Sequence, residues 1–172
     1  MTAFEKQALR TLPRLRRYAA SLCRDPGEAE DLVQDCLERA FARRSSWRGD
    51  NLAAWLMTIL TNLYRNRVRD RASRPHHASL DDETETARTT LAAPTAEPDP
   101  ISRRRLLIAL ETLQADQRAV LMLVVVEGYS YAEVAEILSV PVGTIMSRLS
   151  RARAALKTTL EGENVFELRR HR

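Results

Sequence analysis

Apolar residues recur at helical spacing in two blocks, residues 1–72 and 101–160, and the periodicity fails between them, over 73–100. In the first block Ala29, Leu32, Val33, Cys36, Leu37, Ala40 and Phe41 follow one another at steps of three and one, which predicts an amphipathic helix. Asp25-Pro26 just upstream has the form of a helix start, with Asp as cap and Pro in the first turn. The opposite face of this helix carries Asp31, Gln34, Asp35 and Glu38. Arg43-Arg44-Ser45-Ser46-Trp47-Arg48-Gly49-Asp50 breaks the pattern and predicts a loop. A second helix is predicted over about 52–71, with Trp55, Leu56, Ile59, Leu60 and Leu63 on its buried side. Its later part is basic, with Arg65, Arg67, Arg69 and Arg71 interspersed with Asn62 and Asn66.

In the second block Leu106, Leu107, Leu110 and Leu113 form one amphipathic segment, and Asp116 is placed to cap a following one with Val120, Leu121, Leu123 and Val124. Gly128 predicts the end of that helix and Ser130 the cap of the next. A short helix over 131–138 then turns Val134, Ala135 and Leu138 inward. Ser139-Val140-Pro141-Val142-Gly143 forces a turn, because proline cannot continue a helix interior. The next helix places Ile145, Leu149, Ala152 and Leu156 on one stripe, so the whole has the form of a helix-turn-helix. At about 100° per residue, Thr144, Ser147 and Arg151 face away from that stripe and Arg148 lies on its flank. No acid occurs between 141 and 159. Hydroxyls and guanidinium groups without carboxylates are the chemistry that meets base edges and phosphates in a major groove. The pattern as a whole predicts an all-α chain of two small helical domains joined by a flexible linker.

Composition sharpens this picture. The chain has 172 residues, 44% of them hydrophobic and 29% charged, enough for two packed cores with a well-solvated surface. The longest apolar run, 119–126, is far too short to span a bilayer, and the first residues lack a signal peptide's apolar stretch, so the expected location is the cytoplasm without membrane insertion. Net charge is +4, and of the 27 basic residues only Lys6 and Lys157 are lysines. The linker holds Asp81, Asp82, Glu83, Glu85, Glu97 and Asp99 against Arg74 and Arg88, a net of −4, which leaves +8 on the flanking blocks. Basic blocks allow a nucleic-acid partner, and an acidic, proline-bearing tether has too little apolar surface to fold alone.

Catalytic and metal chemistry find no foothold in the sequence. Cys23 and Cys36 lack metal-ligand spacing and read as small core residues, and His76, His77 and His171 lie far from both. The five glycines are scattered and form no phosphate-cradling loop, and no histidine stands in a nucleophile's context. No catalytic residue, metal or cofactor is assigned.

The string from Tyr129 through Arg153, with Gly143-Thr144-Ile145-Met146-Ser147-Arg148-Leu149-Ser150-Arg151-Ala152-Arg153 at its core, resembles region 4 of extracytoplasmic-function RNA polymerase sigma factors of the sigma-70 family. Asp116-Gln117-Arg118-Ala119-Val120-Leu121 is similar to the helix that precedes it there. In the first block Glu28-Ala29-Glu30-Asp31-Leu32-Val33-Gln34-Asp35 resembles the family's polymerase-docking helix in region 2, and Trp55-Leu56-Met57-Thr58-Ile59-Leu60-Thr61-Asn62 the start of its −10-reading helix. The two matches, in order, span nearly the whole chain. Three departures stand out: Gln114 where the family often has proline, Leu60-Thr61-Asn62 in place of a common Ala-Arg-Asn, and Trp47 where another aromatic is frequent. The last two bear on promoter preference.

The resemblance implies that residues 1–72 are region 2 and that Asp31, Gln34, Asp35 and Glu38 meet the clamp helices of core RNA polymerase. It also implies capture of an unstacked −10 base by Trp47, Arg48, Asp50 and Asn51, with Trp47 equally able to serve as a core anchor. Asn62, Arg65, Asn66 and Arg69 would follow the −10 DNA. Residues 101–160 would be region 4, seated on the polymerase flap, with Thr144, Ser147, Arg148 and Arg151 in the −35 major groove. The linker, 73–100, would set reach, its acids resting in the polymerase's basic RNA-exit path, and an anti-sigma protein would hold the free chain. The tail, 161–172, receives no role. The competing reading is a stand-alone helix-turn-helix regulator that binds promoter DNA without polymerase.

Overall fold

A computed structural model of the chain describes residues 2–49, 51–73 and 100–170, with side chains over 104–161 of the last stretch. The expected linker and its acids, apart from the helix ends at 73 and 100, lie outside the described residues, as does Asp50. Among the described residues seven α-helices follow in order: α1 (Ala3–Leu22), α2 (Pro26–Ala42), α3 (Leu52–Ser73), α4 (Pro100–Glu111), α5 (Ala115–Leu121), α6 (Tyr131–Leu138) and α7 (Val142–Arg170). A 3-10 turn, Arg44–Ser46, follows α2. No strand occurs among the described residues. Contacts gather the chain into two compact units, one carrying α1–α3 and the other most of α4–α7.

In the first unit the three helices pack pairwise. Thr2 and Glu5 form a capping box at the start of α1, and Asp25 accepts from the Glu28 N–H at 2.8 Å to open α2 as its sequence predicts. Pro13 lies inside α1, where a proline removes one backbone hydrogen bond. It sits on the exposed side, so water can answer the orphaned carbonyl and the helix continues. Leu15, Tyr18, Leu32, Cys36, Leu56, Met57 and Leu60 are fully buried at the centre. On α2 the predicted stripe holds for Ala29, Leu32, Val33, Cys36 and Ala40, whereas Phe41 is 40% exposed. On α3 the buried stripe is Leu52, Leu56, Met57, Leu60 and Thr61; Trp55, Ile59 and Leu63 are only half-buried, so the expected face is turned by about one residue.

One polar chain crosses this core. The Tyr18 hydroxyl meets Thr61 Oγ1 at 3.0 Å, and the Thr61 hydroxyl donates to the Met57 carbonyl at 2.8 Å. Thr61, one of the departures from the family pattern, is thus an interior residue.

In the second unit α7 packs on both α4 and α5. Asp116 does not cap α5: Gln114 holds the cap position without a side-chain hydrogen bond, and Asp116 stands in the first turn. Arg118 is buried and donates to the carbonyls of Leu113 (2.9 Å) and Glu111 (3.4 Å), answering acceptors at the end of α4. On α4 it is Ala109 that is fully buried, and Leu106 is 44% exposed. Beyond α5 the chain widens into a π-helical turn, Met122–Val126, in which the Glu127 N–H donates to the Met122 carbonyl five residues back. Gly128 at φ 74° ends the element, and Ser130 and Glu133 form a capping box on α6 as the sequence predicts. Hydrogen bonds from Ser130, its backbone N–H first, hold the Glu133 carboxyl below its usual range.

Between α6 and α7, Ser139 adopts φ 54°, and the Val140 N–H reaches the Ala135 carbonyl at 3.0 Å. The Pro141 carbonyl accepts from the Thr144 N–H at 2.9 Å and so begins α7. Ile145, Leu149 and Ala152 are buried as the wheel requires, whereas Leu156, the fourth residue of the predicted stripe, is only half-buried. The helix runs on to Arg170, past the boundary at 160 expected from the sequence.

Both cysteines are free and buried, and the Cys36 thiol donates to the Leu56 carbonyl at 3.4 Å. Burial pushes Cys23 up to about 11 and Cys36 up to about 12.

Three outcomes test this account. Leu56→Ala should cost about 2–5 kcal/mol and Tyr18→Phe only about 1 kcal/mol, because Thr61 keeps its carbonyl partner; urea unfolding measures both. Ser139→Gly should stabilise by about 1 kcal/mol and Ser139→Val should destabilise by a similar amount, read as opposite shifts in Tm, since only glycine takes the left-handed turn without strain. Neither thiol should react with an aromatic disulfide reagent at about pH 8 until urea is added. The folded chain keeps protons that unfolded thiols release, so this contribution to stability is whole below about pH 9 and is lost as pH rises toward 11.

Candidate functional site

On α2 the core stripe leaves Asp31, Gln34, Asp35 and Glu38 exposed. They are not equivalent. Asp35 is engaged by Arg67 of α3 at 2.6 Å, and Glu28 on the same helix by Arg71. Glu30 pairs with Arg16 at 3.2 Å. Asp31, Gln34 and Glu38 form the outward ridge, with the Gln34 amide donating to Glu38 at 3.1 Å. This ridge presents carboxylates and an amide to solvent.

The loop between α2 and α3 is pinned at both ends. The Trp47 ring stands edge-on to Phe4 at 5.6 Å, in a cluster where Phe4 also meets Phe41 (5.4 Å) and Trp55 (6.3 Å). Trp47 is half-buried there and acts as the anchor of its loop. Asn51 Oδ1 accepts from the Ala54 N–H at 3.1 Å and caps α3. Between them Arg48 is exposed and Gly49 takes φ 90°. Of the four residues expected to meet an unstacked base, two therefore hold the loop in shape, one reaches solvent, and Asp50 lies outside the described residues.

Along α3 the arginines divide by face. Arg67 and Arg71, four apart, turn to α2, and Arg67 also donates to the Glu28 carbonyl at 3.3 Å. Asn62, Asn66 and Arg69 are exposed with Arg65 half-buried beside them, and Arg69 donates to Asn66 Oδ1 at 2.6 Å. A feature that the sequence pattern does not flag is an exposed apolar groove of about 260 Å³ between α1 and α2, lined by Ala8, Leu9, Leu12, Leu37 and Phe41.

On α7 Met146, Ser147, Ser150 and Arg151 are exposed, and Thr144 is half-buried. The Ser147 hydroxyl donates to the Thr144 carbonyl at 3.0 Å. Arg148 departs from expectation. Its Nη2 lies 2.6 Å from Asp116 of α5, its side chain is 22% exposed, and Nη1 is buried without a hydrogen-bond partner. The wheel places Arg148 on the flank, but only the fold brings Asp116 opposite. Met146 and Ser150 complete the outward ridge; neither is among the residues singled out from the sequence, and Met146 is one that a search for polar groups passes over. Among the described residues no cluster of His, Cys, Asp and Glu is arranged to hold a metal ion, and no helix is long and apolar enough to cross a membrane.

Residues 8–74 match the sigma-70 region 2 family and residues 103–156 match sigma-70 region 4. The chain is 39% identical to the ECF RNA polymerase sigma factor EcfG of Rhodopseudomonas palustris, over 88% of this chain and 82% of that relative. It is 34% identical to the RNA polymerase sigma factor CarQ of Myxococcus xanthus, over 98% and 94%. Among solved structures, the sigma factor RpoE of Bartonella quintana, in complex with the anti-sigma factor NepR, matches with a TM-score of 0.75 and 36% identity, over 94% of this chain and 98% of that one. With two regions matched in order on a helical scaffold that exposes a helix-turn-helix, this chain belongs to the extracytoplasmic-function sigma factors of the sigma-70 family, which direct RNA polymerase to specific promoters.

Proposed function

We propose that residues 1–72 and 101–160 divide the labour of promoter reading as regions 2 and 4 of a non-enzymatic initiation factor working in the cytoplasm. The observation that carries this reading is the outward ridge of α7, where the hydroxyl and guanidinium of Ser147 and Arg151 stand exposed and acids are absent from 141–159. Such a ridge suits the −35 major groove. Thr144, Ser147 and Arg151 read or position there, and Arg148, engaged by Asp116, supports them from the flank.

In the first unit Asp31, Gln34 and Glu38 meet the polymerase clamp helices, with Asp35 at the edge of that surface. Arg48 and Asp50 approach an unstacked −10 base from a loop held by Trp47 and Asn51, while Asn62, Arg65, Asn66 and Arg69 follow the −10 DNA. The region 4 unit sits on the polymerase flap. The linker sets the effective concentration of each domain at its element, and its acids occupy the RNA-exit path. An anti-sigma protein covers the free chain, as the Bartonella relative's complex suggests, and the apolar groove of α1 and α2 is open to it.

The test is transcription by core polymerase of the native organism with the purified chain on a genomic DNA pool, followed by sequencing of the 5′ ends. Discrete starts sharing −35 and −10 elements are expected. Arg151→Ala should lower −35-dependent starts by roughly 5- to 100-fold with core binding unchanged. Core binding without specific starts would overturn the reading, and tight specific DNA binding in the absence of core would favour a stand-alone regulator.

A further inference from the structure

We infer that the Asp116–Arg148 ion pair sets the rotational position of α7 and thereby the base preference of the −35 reading face, so that Arg148 is a positioning residue and does not itself read DNA. The inference rests on the proposal that α7 reads the −35 element.

The buried stripe Ile145, Leu149 and Ala152 fixes how close α7 lies to its neighbours. Close packing of that stripe sets the roll of α7 coarsely, and because dispersion contacts have no direction the last few degrees are left to directional contacts. Reading is not tolerant of roll. Side-chain tips stand about 5–6 Å from the axis, so a turn of about 10° carries Ser147, Ser150 and Arg151 about 1 Å along the base edges. That displacement is enough to lose a hydrogen bond.

A directional contact at the flank removes this freedom. Arg148 holds the flank position, one residue before Leu149 and three after Ile145, and reaches Asp116 in the first turn of α5 at 2.6 Å. The Arg148 side chain lies mostly out of solvent, with Nη1 buried, whereas the Asp116 side chain stays 47% exposed. A group held this way cannot extend to a base edge without breaking the pair and leaving a carboxylate beside the DNA.

The partner element is itself well fixed. Two residues on from Asp116, Arg118 ties α5 to the end of α4 through the Glu111 and Leu113 carbonyls. Asp116 is therefore a firm reference point, and the string Asp116-Gln117-Arg118 carries both ties.

The experiment uses holoenzyme on a promoter library randomised through the −35 element, with starts counted for each sequence. Asp116→Asn and Arg148→Ala should each lower starts at the preferred element by about fivefold and flatten preference at the same base pairs. The double variant should fare no worse than either single one, because both remove one interaction. Arg148→Lys, which keeps the charge but not the fork, should stay within about twofold of the parent, whereas a bidentate base reader would not survive that change.

Preference is a ratio among sequences within one sample and is independent of how much protein is folded. A uniform loss with unchanged preference would mean a merely structural pair and would overturn the inference. So would loss of discrimination at a single base pair in Arg148→Ala with Asp116→Asn unaffected, the mark of a direct reader. A parent holoenzyme that initiates without any −35 preference would instead overturn the reading of α7, and this inference with it.

Discussion

A guanidinium group keeps its proton throughout the physiological range, so each arginine of this chain must face water or be answered by an acceptor. With 25 arginines and two lysines among 172 residues, that demand shapes the molecule more than any single apolar contact. Arg16, Arg67 and Arg71 are answered by carboxylates on α2, Arg118 by carbonyls at the end of α4, and Arg148 by Asp116. Arg48, Arg69, Arg151 and Arg153 face solvent. The first group holds helices to one another, and the second leaves positive charge on the surface. In both units the arginines that bind inward fix the frame from which the outward ones project.

This division explains what could be read from the sequence and what could not. Helix starts were legible at Asp25 and Ser130, because a cap is a local event between a side chain and an N–H three residues on. The core face of α7 was legible for a similar reason: Ile145, Leu149 and Ala152 repeat at helical steps without interruption. The partners of the arginines were not. Arg67 finds Asp35 from 32 residues away, and Arg148 finds Asp116 across the same interval. Nothing in either local pattern names the other residue.

The roll of α3 escaped for a different reason. Its apolar positions are nearly continuous from Leu52 to Leu60, so the stripe could be drawn along more than one face. Tyr18, on a helix 43 residues away, selects the face that carries Thr61. Trp47 shows how one residue type serves two readings. Its ring is apolar enough to anchor a loop and flat enough to stack on a base, and only the position of Phe4 decides between them. Asp116 was misplaced as a cap for want of that same long-range knowledge.

The π-helical turn at Met122–Val126 gives the chain a freedom of another kind. It accommodates one residue more than an α-helix would over the same rise. Removing a single residue there would let the segment close as ordinary α-helix, and because five π-helical residues turn through nearly the same angle as four α-helical ones, the chain beyond would leave in nearly its present direction. A one-residue gap within the turn would thus alter its local width and leave the departure of the helix-turn-helix almost untouched, whereas the same gap inside α6 or α7 would turn every later side chain by about 100°. Over evolutionary time this stretch should accordingly tolerate the gain or loss of one residue better than the uninterrupted helices that follow it.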